Sequence, residues 1–157
     1  GYFGLGASNM NNIDEIMYLI DWKRNEQEQK IGIEMAREVS CLKAFFRPIG
    51  PAYSKSVWDN CAIIICAHSD EELEPYIIEM LLWLEDLNWP GAEMIQQRLL
   101  DFRKIDILAV YINSMVPALE KLGRNNWLGS IAELMQNTAL RNCLHQEVRQ
   151  ALCTHTT

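Results

Sequence analysis

Three cysteine–histidine pairs come closest, by residue type and spacing, to a chemical site. Each histidine follows a cysteine by two positions, in the pairs Cys66 and His68, Cys143 and His145, and Cys153 and His155. A thiolate and an imidazole can bind zinc, or together form an activated nucleophile. On a helix, however, side chains two positions apart point about 200° away from each other. We therefore expect no metal site, no cofactor and no cysteine nucleophile.

Carboxylates are the second candidate for chemistry, because two nearby acids can act as general acid and general base. Glu79 near Trp83, or Glu85 beside Asp86, could line a catalytic cleft. Such catalysis needs pKa values that burial pushes apart, and an acid-rich solvated face does not provide burial. We interpret these acids as surface charge and predict that the protein is not an enzyme.

The negative charge is concentrated in one stretch. Between Lys55 and Arg98 lie nine acids and no Lys or Arg, whereas the rest has twelve acids against fourteen bases, so this stretch accounts for the net charge of −7. Such a field argues against nucleic acid and anionic membrane as partners and favours a basic protein. The predicted interaction surface is Asp70, Glu71, Glu72, Glu74, Glu79, Glu85 and Glu93. Alternatively, half of these acids only cap a helix and cover a solvated face.

Two helical patterns meet at a four-residue corner that begins at Asn88. Upstream, Ser69 and Glu72 have the spacing of a capping box, which predicts that a helix starts there. That helix cannot continue through Pro90, which suits the first position of a new helix, with Asn88 or Trp89 near its cap. We predict a helical hairpin that Trp89 staples together.

This corner resembles the signature of a known family. The segment from Trp83 to Ala92 has the pattern W-L-x-D-x-N-W-P-x-A and follows the acidic segment from Asp70 to Pro75. The pattern is similar to that of an uncharacterised bacterial family of small, helical, HEAT-like proteins with no assigned reaction. The resemblance covers about Lys55 to Phe102, and its core is the specific part. It implies a HEAT-like fold and a bacterial source, and no mechanism.

The rest of the chain is also helical in pattern. The apolar run from Cys61 to Ala67 predicts a central helix, because no second strand pattern exists to pair with it. A helix from Ile105 to Leu122 is expected to kink or split at Pro117, and a final helix should run from Thr138 to about Cys153.

Tryptophans near predicted helix starts indicate a weak internal repeat, at Trp22, Trp58, Trp89 and Trp127. Such periods are typical of stacked helix pairs, although an unrepeated bundle would also fit. We predict an all-α fold, a HEAT- or armadillo-like array of roughly seven to nine helices in antiparallel hairpins with one concave face.

Length and composition predict a single helical domain over 10–157, with 1–9 an expression-derived segment outside the fold. No apolar run approaches the roughly 18 residues that span a bilayer. Five cysteines form an odd set without a spaced framework, and no signal peptide precedes them. This pattern predicts reduced thiols and a cytoplasmic location.

Three functions remain open from the sequence. The first is a protein-interaction module with an acidic surface, of which a toxin-neutralising immunity protein is one version. The second is a small-molecule binder or hydrolase with a cleft around Trp83, Asp86, Asn88 and Trp89, which predicts unusual burial of Asp86. The third is a scaffolding or homodimerising domain. In each case the corner residues, Pro90 included, could also be purely structural.

Overall fold

The computed structural model describes residues 12–155 and forms two compact units, one ending at His68 and one beginning at Ser69. The segment predicted to lie outside the fold, 1–9, falls outside the described residues. A single domain over 10–157 stays a prediction. Between 12 and 155 there is no β-strand, only an isolated bridge between Gly50 and Tyr53, and the all-α prediction is confirmed.

Within residues 12–68, the first unit has three α-helices: α1 (12–19), α2 (Glu26–Ala36) and α3 (Trp58–Cys66). Two 3₁₀ turns, Leu42–Phe45 and Lys55–Val57, both pack against α3. The apolar run therefore forms a helix as predicted, and α3 also packs against α2.

The sequence also predicts that Asn25 caps a helix from Glu26 to about Val39, with Ile31 among its inward-facing residues. The Asn25 side chain does cap α2, by accepting the N–H of Glu28 at 2.8 Å, and α2 ends at Ala36. Its inward face was only partly predicted, because Ile31 is 45% exposed. Instead, Gly32 makes the close contact between α2 and the residue that follows α1. An added Cβ at Gly32 would lie 2.7 Å from the Ile20 side chain.

The second unit contains seven further helices over its described residues, 69–155. They are α4 (Asp70–Leu73), α5 (Ile77–Trp83), α6 (Ala92–Leu100), α7 (Ile105–Lys121), α8 (Asn125–Ala132), α9 (Thr138–Cys143) and α10 (Gln146–Cys153). A 3₁₀ turn, Glu74–Tyr76, joins α4 to α5, and another, Glu133–Gln136, follows α8. The centre of this unit is α7, which packs against α5, α8, α9 and α10.

The split predicted at Pro117 is absent, and a break that was not predicted divides the last helix. Helix α7 runs unbroken past Pro117, whose side chain is exposed. The predicted final helix is instead divided, because Leu144 and His145 have extended backbone. The N–H of His145 donates to the Asn113 side chain at 2.9 Å, and Leu144 is buried. A buried apolar side chain and a polar partner from α7 together stabilise this break.

Buried tryptophans anchor the helices through their indole N–H groups. Trp58 donates to the carbonyl of Pro48 at 2.8 Å, and Trp127 donates to the carbonyl of Leu81 at 2.9 Å. A buried indole needs such a partner for its N–H. Trp22, by contrast, is 51% exposed and is not an anchor, so the tryptophan repeat is only partly realised. The HEAT-like arrangement stays a prediction.

In the described part of the chain, no helix is both long and apolar enough to cross a bilayer.

Candidate functional site

The first acids of the predicted interaction surface are engaged within the protein. Ser69 accepts the N–H of Glu72 at 3.2 Å, and the Glu72 carboxylate accepts the N–H of Ser69 at 3.1 Å, which confirms the capping box. One oxygen of Asp70 pairs with Arg98 at 2.7 Å, and the two side chains are only 14% and 15% exposed. Capping and ion pairing therefore engage Glu72 and Asp70 within the protein, although Glu72 stays exposed.

Asp70 and Glu74 connect the beginning of the second unit to the segment before α7 through hydrogen bonds and ion pairs. The N–H of Arg103 donates to Asp70 at 3.0 Å, and the ammonium of Lys104 pairs with Glu74 at 3.1 Å. Burial acts to raise the pKa of Asp70, but the Arg103 N–H and the Arg98 guanidinium outweigh it, so the pKa lies below its ordinary value. Asp70 and Glu74 are therefore engaged in contacts within this unit, and the interaction surface stays a prediction.

The remaining members of that set stay candidates for contact with a partner. Glu71 and Glu93 are exposed, and Glu79 and Glu85 are half-buried. Of these, only Glu85 lies at the corner, beside Asp86.

The corner itself begins with a turn at Asp86. Its side chain accepts the N–H of Asn88 at 2.8 Å, and its carbonyl accepts the N–H of Trp89 at 3.0 Å. Aspartate commonly stabilises turns in this way. Asp86 is half-buried rather than enclosed, so the unusual burial expected for a catalytic carboxylate is not found.

The next turn shows why the start of the second helix was predicted wrongly. The N–H of Ala92 donates to the carbonyl of Trp89 at 3.1 Å, and Gly91 has φ +82° and ψ −13°. Pro90 and Gly91 are thus the two central residues of a type II turn, and the second central position of such a turn favours glycine. Pro90 precedes the helix instead of opening it, and Gly91 is the N-cap rather than Asn88 or Trp89.

Trp83 fixes this arrangement from the core. It is fully buried, and its indole N–H donates to the carbonyl of Pro90 at 3.1 Å. Trp83 is therefore part of the packing beneath the corner. It does not line the cleft, although the second functional hypothesis placed it there.

Replacing Gly91 by alanine should destabilise the protein by roughly 1–2 kcal/mol, because an L-residue is strained in the left-handed region. Urea unfolding followed by circular dichroism would measure the change. Gly129→Ala is the matched control. Gly129 lies within α8, outside the left-handed region, and its added Cβ would meet only the His155 carbonyl at 3.5 Å. That control should be neutral or gain up to about 1 kcal/mol. Equal losses in both variants would contradict the turn assignment.

An open cleft of about 770 Å³ lies at this corner. Its wall consists of acids, amides and a few other side chains: Glu85, Asp86, Leu87, Asn88, Trp89, Asn125, Asn126, Gly129, Ser130, Glu133 and His155. Three of these are carboxylates, and no Lys or Arg is among the lining residues that the structure describes. The cleft is therefore rich in hydrogen-bond acceptors and negatively charged.

One side of the cleft is a single stripe of α8 and the turn that follows it. Gly129, Ser130 and Glu133 follow Asn126 by three, four and seven positions, a pattern that places all of them on one helical face. The Gln96 side chain of α6 donates to Glu133 and, at 3.0 Å, to the carbonyl of Ser130. This bridge holds the carboxylate of Glu133 in position at the cleft.

The structure thus brings together three residues of the predicted corner, Asp86, Asn88 and Trp89, and adds a wall that sequence reasoning missed. Glu133 lies outside the acidic stretch, so neither the charge pattern nor the motif indicated it. The only signal was the spacing of polar residues along α8.

A second cleft, of about 570 Å³, lies in the first unit between Tyr18 and Tyr53. Its charges are mixed, and two are already engaged: Arg24 pairs with Glu28 at 2.7 Å, and Asp21 accepts the hydroxyl of Ser56 at 2.8 Å. This cleft has no net charge that would select a partner.

The cysteines and histidines are not brought together as a metal centre. Over residues 12–155, no group of three or more Cys, His, Asp or Glu side chains is placed to hold a metal ion. Cys61 is fully buried within α3, and burial raises the pKa of its thiol. A buried thiol of this kind is unreactive.

Comparison with known proteins identifies the family. Residues 55–156 match the DUF5071 domain, a domain of unknown function, so the chain belongs to this family. The match begins where we had placed the sequence resemblance and extends well beyond Phe102, through the helices that form the cleft. Searches of curated proteins and of solved structures found no match.

Proposed function

We propose that this member of the DUF5071 family is a non-enzymatic protein-interaction module whose corner cleft binds a basic segment of a partner protein. The observation that carries the proposal is the charge of the wall, with Glu85, Asp86 and Glu133 at one cleft and no Lys or Arg among its described lining residues. The proposal places the protein in the cytoplasm, and a toxin-neutralising immunity protein is one form it could take.

Binding is favoured over catalysis by the exposure of these acids. A general acid–base pair needs burial to separate its pKa values, yet Glu85 and Asp86 are half-buried and Glu133 is exposed. Asp86 is also engaged by the turn that it stabilises. Carboxylates in contact with water suit a partner that brings its own positive charge.

The volume of the cleft fits a short stretch of polypeptide. Sites that bind small ligands occupy about 300–1,000 Å³, so about 770 Å³ accommodates a few side chains.

The test is titration calorimetry with a ten-residue peptide that carries equal numbers of Lys and Arg. The cleft variant combines Glu85→Gln, Asp86→Asn and Glu133→Gln, and the amide oxygen introduced at position 86 can still accept the N–H of the turn. We expect binding to weaken by roughly three- to hundredfold, because three exposed ion pairs at roughly 0.2–1 kcal/mol each contribute about 0.6–3 kcal/mol. Binding of the unmodified protein should also weaken as salt is raised.

The control removes the same charge elsewhere, through Glu71→Gln, Glu93→Gln and Glu120→Gln, at positions that are all exposed and do not line the cleft. It should change the affinity by less than about twofold, since distant exposed charges are screened. Equal weakening in both variants would show a diffuse attraction and would refute the cleft as the binding site.

A further inference from the structure

We infer that the outer face of α7 is an interface between two copies of this chain, packed antiparallel about a two-fold axis next to Ser114. This inference goes beyond the proposed function and does not involve the corner cleft. It starts from a helix whose exposed side carries no charge along most of its length.

The composition of α7 is typical of a helix that is buried on all sides. Thirteen consecutive residues, from Ile107 to Leu119, include no Asp, Glu, Lys or Arg. A helix that is apolar around most of its circumference is normally enclosed by its neighbours. In α7, however, the side chain of Val110 is 64% exposed. Part of the helix surface therefore contacts water without the charged residues that a water-facing surface usually has.

The exposed residues of this uncharged stretch form one stripe, which consists of Val110, Ser114, Pro117 and Ala118. Steps of three and four residues place side chains on the same helical face, and the stripe lies opposite the buried Ile112. The helices α5, α8, α9 and α10 pack against α7 and leave the stripe exposed within the part of the chain that the structure describes. The stripe is therefore an unpartnered helix face.

The charges at the two ends of the stripe indicate what covers it. Asp106 precedes the stripe, Lys121 follows it, and both are exposed. A two-fold interface presents the same patch from both copies, and an axis midway between these charges brings Asp106 of each copy to Lys121 of the other. A parallel pair would instead bring like charges together.

The same antiparallel alignment also fits the residues between the charges. Val110 lies as far from Asp106 as Pro117 lies from Lys121, so each Val110 meets Pro117 of the other copy. Ser114 lies next to the axis, where its small side chain lets the two helices approach closely. Apolar contacts and both ion pairs therefore form in a single arrangement.

The size of the face predicts a weak dimer. Helix α7 has 17 residues and is about 25 Å long. A single helix pair of this length covers less than the roughly 800 Å² per partner of a standard interface. We expect a dissociation constant on the order of 10–100 μM.

Sedimentation equilibrium of the full chain, between about 5 and about 500 μM, tests the interface. The unmodified protein should change from monomer to dimer over this range. Val110→Lys should weaken the dimer at least about tenfold, because symmetry adds two lysines, each within a turn of Lys121 of the other copy. Ile49→Lys is the control, because it makes a similar change at a residue of the first unit that is 74% exposed. A monomer throughout, or equal weakening by both variants, would overturn the inference.

Charge reversal tests the antiparallel arrangement itself. Lys121→Asp should weaken the dimer by roughly two- to thirtyfold, because two exposed ion pairs are lost and two acids face each Asp106 contact instead. Adding Asp106→Lys should restore the affinity to within about twofold, since both pairs form again with their signs exchanged. Circular dichroism checks that each variant is folded. A folded single variant that dimerises normally, or a double variant that is not restored, would overturn the inference.

Discussion

Trp83→Ala should destabilise the protein more than any other single substitution proposed for it, with a loss of about 3–5 kcal/mol in the free energy of unfolding. The side chain is fully buried, and its removal leaves a large cavity beneath the corner. It also leaves the carbonyl of Pro90 without the indole N–H that donates to it at 3.1 Å. Urea unfolding followed by far-ultraviolet circular dichroism would measure the loss without relying on tryptophan fluorescence.

Trp22→Ala is the matched control, because this indole is 51% exposed. Its removal should change the free energy of unfolding by no more than about 0.5 kcal/mol. Trp83→Phe would keep most of the buried ring and lose only the hydrogen bond, so its loss should fall between the two. A loss below about 1 kcal/mol for Trp83→Ala would contradict the role of this indole as the anchor of the corner.

Arg98→Ala should cost about 2–3 kcal/mol at neutral pH, because it leaves the carboxylate of Asp70 largely buried without its cation. The control is Arg37→Ala, which removes a pair with Glu34 at 3.3 Å whose side chains are 73% and 68% exposed. Such an exposed pair contributes no more than about 0.5 kcal/mol. Similar losses in the two variants would contradict a structural role for the Asp70–Arg98 pair.

The same pair predicts a dependence on pH. The pKa of Asp70 is lowered in the folded protein, relative to about 3.9 in the unfolded chain. Its contribution is therefore fully present above the unfolded value and is lost as the pH falls through the folded one. The difference in unfolding free energy between the unmodified protein and Arg98→Ala should shrink between about pH 7 and about pH 2. An undiminished difference would show that Arg98 acts through packing alone, for instance against Phe102.

Local sequence signals predicted local structure well. The Ser69 capping box, the Asn25 cap and the helix through Ile63 to Ile65 depend on residues a few positions apart, and each is present. The predicted start of α6 was wrong because Pro90 was expected to be the first residue of the helix. Instead, Pro90 and Gly91 form a type II turn before it. There the turn chemistry prevails over the preference of proline for the first helical position.

The residues of the corner cleft come from segments that are far apart in the sequence. Hydrophobic periodicity carries no information about contacts between such segments. Asp70 meets Arg98, which removes it from the surface, and Glu133 joins Glu85 and Asp86 at the cleft. The sequence therefore indicated an acidic stretch and a polar corner but not which of the acids are engaged within the fold. The division of the last helix was missed for a similar reason, since the partner of His145 lies on α7.

Chemical-shift mapping tests most directly whether the corner cleft binds a basic segment. The ¹⁵N-labelled protein would be titrated with the ten-residue peptide that carries equal numbers of Lys and Arg, and perturbed amides would be located in the structure. We expect the largest shifts at 85–89, 125–130 and 133, with little change at Glu71, Glu79 or Glu93. Shifts centred on those three glutamates, or no saturable shifts at all, would contradict binding at the cleft.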